Sequence, residues 1–325
     1  MRAVITGAAG FIGSRFAELL LDDAERLGYD EVVLFDALTY SGRRENMDAA
    51  LRDRRASFLH ASILDADAVD AALRGAHAVV HFAAESHVDR SIASADAFFA
   101  TNVLGTQQLL EGARRHGVER FVHVSTDEVY GSIEEGSWRE DHVLEPNSPY
   151  SASKAGSDLA ALAYHRTYGL AVSVTRCSNN YGPRQFPEKM IPLFVTNLLD
   201  GQRVPLYGDG LNVRDWLHVD DHCRGVLAVL ESGRAGEIYN VGGGTELANR
   251  ELTERLLDLC GAGWDRVEPV ADRLGHDRRY SVDWTKIATE LGYAPRVDFS
   301  EGIADTVRWY RENEDWWRPL KDRVA

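Results

Sequence analysis

Short β-branched and aromatic runs alternate with longer stretches of helical apolar spacing through the first 180 residues of this 325-residue chain. Residues 3–6, 31–36, 57–60, 78–82, 121–125 and 171–176 read as six strands. Most are near-continuous apolar runs, the pattern of strands buried on both faces. An amphipathic stretch ends near Leu27, and residues 95–116 and 151–168 carry helical spacing. Strand and helix in alternation predict an α/β fold built on a Rossmann-like, doubly wound parallel sheet. Beyond residue 180 the regularity fades. Pro183, Pro187, Pro192 and Pro205 punctuate the chain, and Trp264, Trp284, Trp309, Trp316 and Trp317 gather toward its end. This predicts a first domain over residues 1–180, joined by parts of 211–242, and a smaller, partly interleaved lobe over 181–325.

Charge narrows the partners. A net charge of −15 argues against nucleic acid and anionic membrane surfaces. An anionic ligand then needs local cations, for which Arg214, Arg273, Arg278 and Arg279 are the candidates. Cys177, Cys223 and Cys260 form no metal-ligand spacing and cannot all pair, so a reducing, cytoplasmic setting and no metal are expected. Met1-Arg2 runs straight into the first strand, which leaves no room for a signal peptide, and no apolar run approaches the ~18 residues of a membrane span.

The chemistry gathers at the predicted strand ends. Gly7-Ala8-Ala9-Gly10-Phe11-Ile12-Gly13 separates the first strand from the first helix. Glycines there let the backbone turn tightly and approach a pyrophosphate, which sits at the helix N-terminus. Asp36 ends the second strand, where a carboxylate bonds a ribose hydroxyl and repels a 2′-phosphate, so NAD is expected over NADP. Ligands in such sheets lie outside the carboxyl ends of the strands. That rule adds Ser62-Ile63, residues 83–87 and Thr126-Asp127-Glu128 to one rim. Tyr150 and Lys154 lie one helical turn apart, so the ammonium is expected to favour the phenolate and make Tyr150 a base. Two adjacent carboxylates tend to split in pKa, giving one acid and one base.

Together these motifs resemble the extended short-chain dehydrogenase/reductase family, and within it the nucleotide-sugar 4,6-dehydratases. The resemblance runs end to end. It rests on the glycine turn, Ala83-Ala84-Glu85-Ser86-His87-Val88-Asp89-Arg90-Ser91, residues 125–131, Tyr150 to Lys154, residues 176–183, Arg214-Asp215-Trp216 and Gly275-His276-Asp277-Arg278-Arg279-Tyr280. It implies dTDP-glucose as substrate, tightly held NAD, and a homodimer formed through the helices near 95–116 and 151–168. It also implies roles: Tyr150 with Lys154 as the base for oxidation at carbon 4, Thr126 as donor to the 4-oxygen, Glu128 as base at carbon 5, and Asp127 as acid for the 6-hydroxyl. The implied NAD contacts are Gly7, Gly10, Phe11, Ile12, Gly13, Asp36, Thr39, Ser62, Ile63, Ala83, Ala84, Thr101, Tyr150, Lys154 and Asn180. The implied nucleotide-sugar contacts are Ser86, Thr126, Asn179, Lys189, Met190, Pro205, Tyr207, Arg214, Asn249, Asp272, Arg273 and His276. Three positions depart from the family pattern: Ser62 for an aspartate, Arg184 for an aromatic and Leu274 for a proline. A nucleotide-sugar 4-epimerase or UDP-glucuronate decarboxylase would share Tyr150 and Lys154 but needs no Asp127-Glu128 pair. An NAD-sensing binding protein would need neither set.

Overall fold

The computed structural model describes residues 1–321. Its large sheet has seven parallel strands: β1 (Arg2–Thr6), β2 (Glu31–Asp36), β3 (Ala56–His60), β4 (Ala78–His81), β5 (Arg120–Thr126), β6 (Val172–Cys177) and, far along the chain, Ile238–Val241. The order is β3-β2-β1-β4-β5-β6 followed by Ile238–Val241, so the chain reverses direction of travel between β1 and β4. That reversal opens a crevice beyond the strand ends, where ligands of this architecture bind. The six strands read from the sequence are present, each within a residue or so of its expected limits, and the α/β class holds.

Apolar side chains fill both faces of the sheet. Ile5, Leu34 and Val80 pack one way against Phe16 and Leu20 of the helix Phe11–Asp22, while Val4, Val33, Val79 and Phe121 pack the other way against Leu109, Leu110 and Ala161. The first helical stretch stops at Asp22 and resumes as a short turn, Ala24–Leu27. The expected helix over 95–116 contains a wide, π-helical segment, Phe99–Gly105, before the regular helix Thr106–His116. The expected helix over 151–168 runs from Pro149 to Tyr168; Ser148 caps it by accepting from the Ser151 N–H, with proline in the first turn.

Further strands follow in the second half. These are β7 (Asn179–Tyr181), β8 (Val204–Tyr207), β9 (Val213–His218), β10 (the Ile238–Val241 already described), β11 (Glu246–Ala248) and β12 (Val267–Val270). They make a three-stranded sheet, β11-β9-β7, and a parallel pair, β12-β8, over a separate core that includes Tyr181, Phe194, Trp216, Leu252, Ile303 and Trp317. The helix Val219–Ser232 returns to pack on Phe11–Asp22, and β10 pairs with β6. Among the described residues no helix is long and apolar enough to cross a membrane.

Candidate active site

The glycine turn follows β1. Gly7 adopts φ +70°, and a Cβ there would come within 2.6 Å of the Ala83 backbone nitrogen; one on Gly13 would come within 2.1 Å of the Gly7 carbonyl oxygen. Only glycine fits either place. The helix behind the turn has no side-chain cap and no acidic residue in its first turn, so its N-terminus is open to an anion. Asp36 braces the neighbouring loop, accepting from the backbone N–H groups of Ala9 and Leu38 at 2.9 and 2.7 Å. These features fit a dinucleotide pyrophosphate and ribose.

A cavity of about 320 Å³ lies along this rim. It brings together every residue expected to meet NAD: Gly7, Gly10, Phe11, Ile12, Gly13, Asp36, Thr39, Ser62, Ile63, Ala83, Ala84, Thr101, Tyr150, Lys154 and Asn180. Thr126, Asp127 and Glu128 line its inner end, with Ser86, Asn179 and Lys189. A second cavity of about 180 Å³ adjoins it, sharing Glu128, Asn179 and Lys189 and adding Met190, Pro205, Tyr207, Arg214, Asn249, Arg273 and His276. Glu128 therefore faces both spaces.

β5 delivers the acid-base group. Thr126 ends the strand and its hydroxyl accepts from the Glu128 N–H at 3.2 Å, which turns the chain so that Asp127 and Glu128 follow in a short 3₁₀ turn. Asp127 is buried, and its Oδ2 has no hydrogen-bond partner. Burial raises its pKa well above the carboxylate range, and Glu128 and Asp215 add to the shift. Glu128 is raised by burial too, but Arg273, Lys189 and Arg214 oppose that. Both are raised, but three cations oppose the shift at Glu128 while neighbouring carboxylates add to it at Asp127, a difference that favours Asp127 as acid and Glu128 as base.

Tyr150 and Lys154 share one face of Pro149–Tyr168 and line the larger cavity, where burial and carboxylates outweigh the lysine at the phenol. Burial and the Glu128 carboxylate raise the Tyr150 pKa well above the usual phenol value. Burial lowers that of Lys154, whose Nζ donates to the Val124 carbonyl at 2.8 Å. One ammonium N–H goes to that carbonyl, leaving the charge and two donors on the cavity side, while burial and Glu128 dominate the phenol.

Four arginines were candidates for binding an anion, and two reach the cavities. Arg214 makes no ion pair among the described residues; it donates to the Val213 and Asp277 carbonyls at 2.7 and 2.9 Å and stacks 4.1 Å from the Tyr280 ring centre. Arg273 has only a 3.9 Å contact with Asp89, and its Nε is buried without a partner. Arg278 and Arg279 instead pair with Asp209 and Glu246 at 2.9 and 2.7 Å, away from both cavities. Asp272, grouped with the sugar contacts in the sequence, lines neither cavity: its carboxylate pairs with His276 Nδ1 at 2.6 Å. Asp215 does not neutralise Arg214 but binds Ser178 Oγ and the Gly243 and Thr245 N–H groups. Residues that the sequence did not single out also line the larger cavity, among them Cys177, Gln185, Phe186 and Glu188. Cys177 ends β6, whereas Gln185, Phe186 and Glu188 carry no motif and lie in the segment between β7 and the helix Met190–Leu199.

The site's chemistry agrees with its relatives. A family profile described as GDP-mannose 4,6 dehydratase matches residues 4–306. A dTDP-glucose 4,6-dehydratase of Streptomyces antibioticus is 64% identical over 328 residues, covering 100% of this chain and 97% of the relative. The crystal structure of the dTDP-glucose 4,6-dehydratase of Streptomyces venezuelae, with NAD bound, is similar at a TM-score of 0.97 and 64% identity, covering 98% of this chain and 100% of that one. A UDP-glucuronic acid 4-epimerase of Bacillus cereus, in complex with UDP-glucuronic acid and NAD, reaches a TM-score of 0.90 at 28% identity over 96% of this chain and 99% of its own. The fold is thus common to dehydratases and epimerases, while identity along the whole chain, 64% against 28%, separates them. The chain belongs to the nucleotide-sugar 4,6-dehydratases, and among them to the dTDP-glucose 4,6-dehydratases.

Proposed function

We propose that the protein holds NAD in the larger cavity and dTDP-glucose across the smaller one, and converts the sugar to dTDP-4-keto-6-deoxyglucose. The observation that carries this reading is the pair itself: Asp127, raised by burial and with a buried unpartnered oxygen, beside Glu128, which faces both cavities. In this reading residues 1–180, with β10 and the helix Val219–Ser232, hold the coenzyme, and the remainder holds the nucleotide sugar. Arg214 and Arg273 are placed to take the diphosphate, since guanidinium forks match phosphate oxygens. Bound NAD supplies the hydride acceptor for carbon 4 and the donor for carbon 6, and its oxidised form adds a positive charge to a cavity lined by Tyr150.

The residues divide the remaining work. Tyr150 takes the proton of the 4-hydroxyl, and Thr126 Oγ1 donates to the resulting carbonyl oxygen. The ketone acidifies the carbon 5 proton, which Glu128 removes. Asp127 gives its proton to the 6-hydroxyl, which leaves as water, and Glu128 returns its proton to carbon 5 as carbon 6 receives hydride. A 4-epimerase would have no use for this second acid-base pair.

Incubation with dTDP-glucose and, separately, UDP-glucose tests the proposal. The alkali-induced absorbance of a 4-keto-6-deoxy sugar is expected with dTDP-glucose. No product from either nucleotide would contradict the activity, and faster turnover of UDP-glucose would contradict the base.

A cytoplasmic homodimer is part of the same reading. The three unpaired cysteines support the compartment. Exposed Phe99 and Leu104 on the helical segment ending at His116, and Leu159 on Pro149–Tyr168, support pairing through those helices. Light scattering should give twice the chain mass; monomer mass would contradict it.

A further inference from the structure

Within residues 184–189, Arg184, Gln185, Phe186, Glu188 and Lys189 all line the larger cavity. Both ends of this segment are tied to other parts of the chain. At one end Arg184 takes φ 68°, a left-handed backbone that side chains rarely adopt. Its guanidinium holds both carboxylate oxygens of Glu18 at 2.8 and 3.1 Å and donates to the Asn46 carbonyl at 2.9 Å. Glu18 lies on the helix whose N-terminus faces the cavity, so this tie reaches across the pyrophosphate end of the site.

At the other end the Glu188 side chain is 3% exposed. It accepts from the Tyr40 hydroxyl at 2.8 Å and from Arg90 Nε at 3.2 Å. The Arg90 guanidinium lies 3.9 Å from the centre of the Tyr40 ring, and the Tyr40 and Phe186 rings meet edge to face at 5.5 Å. Tyr40 belongs to the loop after β2, which also carries Thr39, Ser41 and Gly42 on the cavity wall. Lys189 Nζ then donates to the Ser86 carbonyl at 2.6 Å, tying in the loop after β4.

We propose that residues 184–189 are a strap that keeps NAD in its cavity, latched by Arg184 to Glu18 and Asn46 and by Glu188 to Tyr40 and Arg90. The proposal rests on the reading of the larger cavity as the NAD site. The coenzyme ends each turnover in the form in which it began, so nothing in the reaction requires its release, and a covered cavity suits that cycle. Tyr40 and Glu18 are positioning residues here: neither lines the cavity, and each acts through the strap. Breaking either tie removes a hydrogen bond to a buried or partly buried charge, which should speed loss of the coenzyme about tenfold, and breaking both about a hundredfold.

The test compares wild type, Tyr40→Phe, Glu18→Gln and the double variant, each purified without added coenzyme. Dinucleotide released by acid is measured before and during dialysis, and turnover of dTDP-glucose is followed with and without saturating NAD. Tyr40→Phe keeps the ring under Arg90, so its fold is preserved even if Glu18→Gln disturbs the helix. The expected result is a wild type that keeps its NAD, variants that lose it in the order given, and turnover recovered on adding NAD. Variants that retain NAD as long as wild type while turning over normally would overturn the strap alone. A wild type that neither carries NAD nor gains activity from it would overturn the NAD reading and the strap with it.

Discussion

Replacing Glu128 with glutamine is expected to divide the reaction in two. The variant should still oxidise dTDP-glucose at carbon 4, seen as the absorbance of reduced nicotinamide, while formation of the 6-deoxy product falls about 10²–10⁴-fold, the usual contribution of a positioned base. The geometry gives the reason. Glutamine keeps the shape of the wall shared by the two cavities and the turn set by Thr126, yet cannot accept the carbon 5 proton. The pH dependence should agree. Burial raises the Glu128 pKa, so on acidification the active carboxylate is lost at a higher pH than for a free glutamate. Asp127 is raised by burial and by Glu128, so it too holds its proton to a higher pH than a free aspartate. Full turnover in the glutamine variant would remove Glu128 from its role.

Tyr150→Phe is expected to stop the sequence earlier. Neither reduced coenzyme nor product should accumulate, with the rate of oxidation reduced about 10²–10⁴-fold, because the oxygen assigned to take the 4-hydroxyl proton is removed. Burial and Glu128 hold the phenol protonated in the protein alone. Forming the phenolate therefore calls for positive charge in the cavity, from the Lys154 ammonium and from a bound oxidised coenzyme. Binding of dTDP-glucose should survive the change, as Arg214 and Arg273 lie in the adjoining cavity. A phenylalanine variant that still reduced its coenzyme at the wild-type rate would contradict the assignment.

The large sheet was legible in the sequence because parallel strands buried on both faces leave near-continuous apolar runs, as at 31–36 and 78–82. The short strands of the second half were not. β7 and β11 have three residues each, and β7 reads Asn-Asn-Tyr, which carries no alternation. The return of Ile238–Val241 was visible only as a possibility, because its place at the sheet edge depends on the helix before it. In the site, residues at strand ends and in the glycine turn were legible because topology alone brings them to one rim. Arg278 and Arg279 misled, since sequence counts cations but does not say which are already paired with Asp209 and Glu246. The Tyr150-Lys154 spacing gave the right neighbours, while the burial and the Glu128 carboxylate that raise the phenol pKa could not be read from it. Arg184 stood out only as a departure from a pattern; its partners Glu18 and Asn46 lie more than a hundred residues away.

The central claim is that one bound NAD accepts hydrogen from carbon 4 and returns it to carbon 6 of the same sugar while Glu128 and Asp127 expel water between. Turnover of dTDP-glucose carrying deuterium at carbon 4, followed by mass spectrometry and NMR of the product, tests this most directly. The account predicts that the label appears on carbon 6 of the 4-keto-6-deoxy sugar without any added reductant. Label released to solvent, or found still on carbon 4, would contradict it.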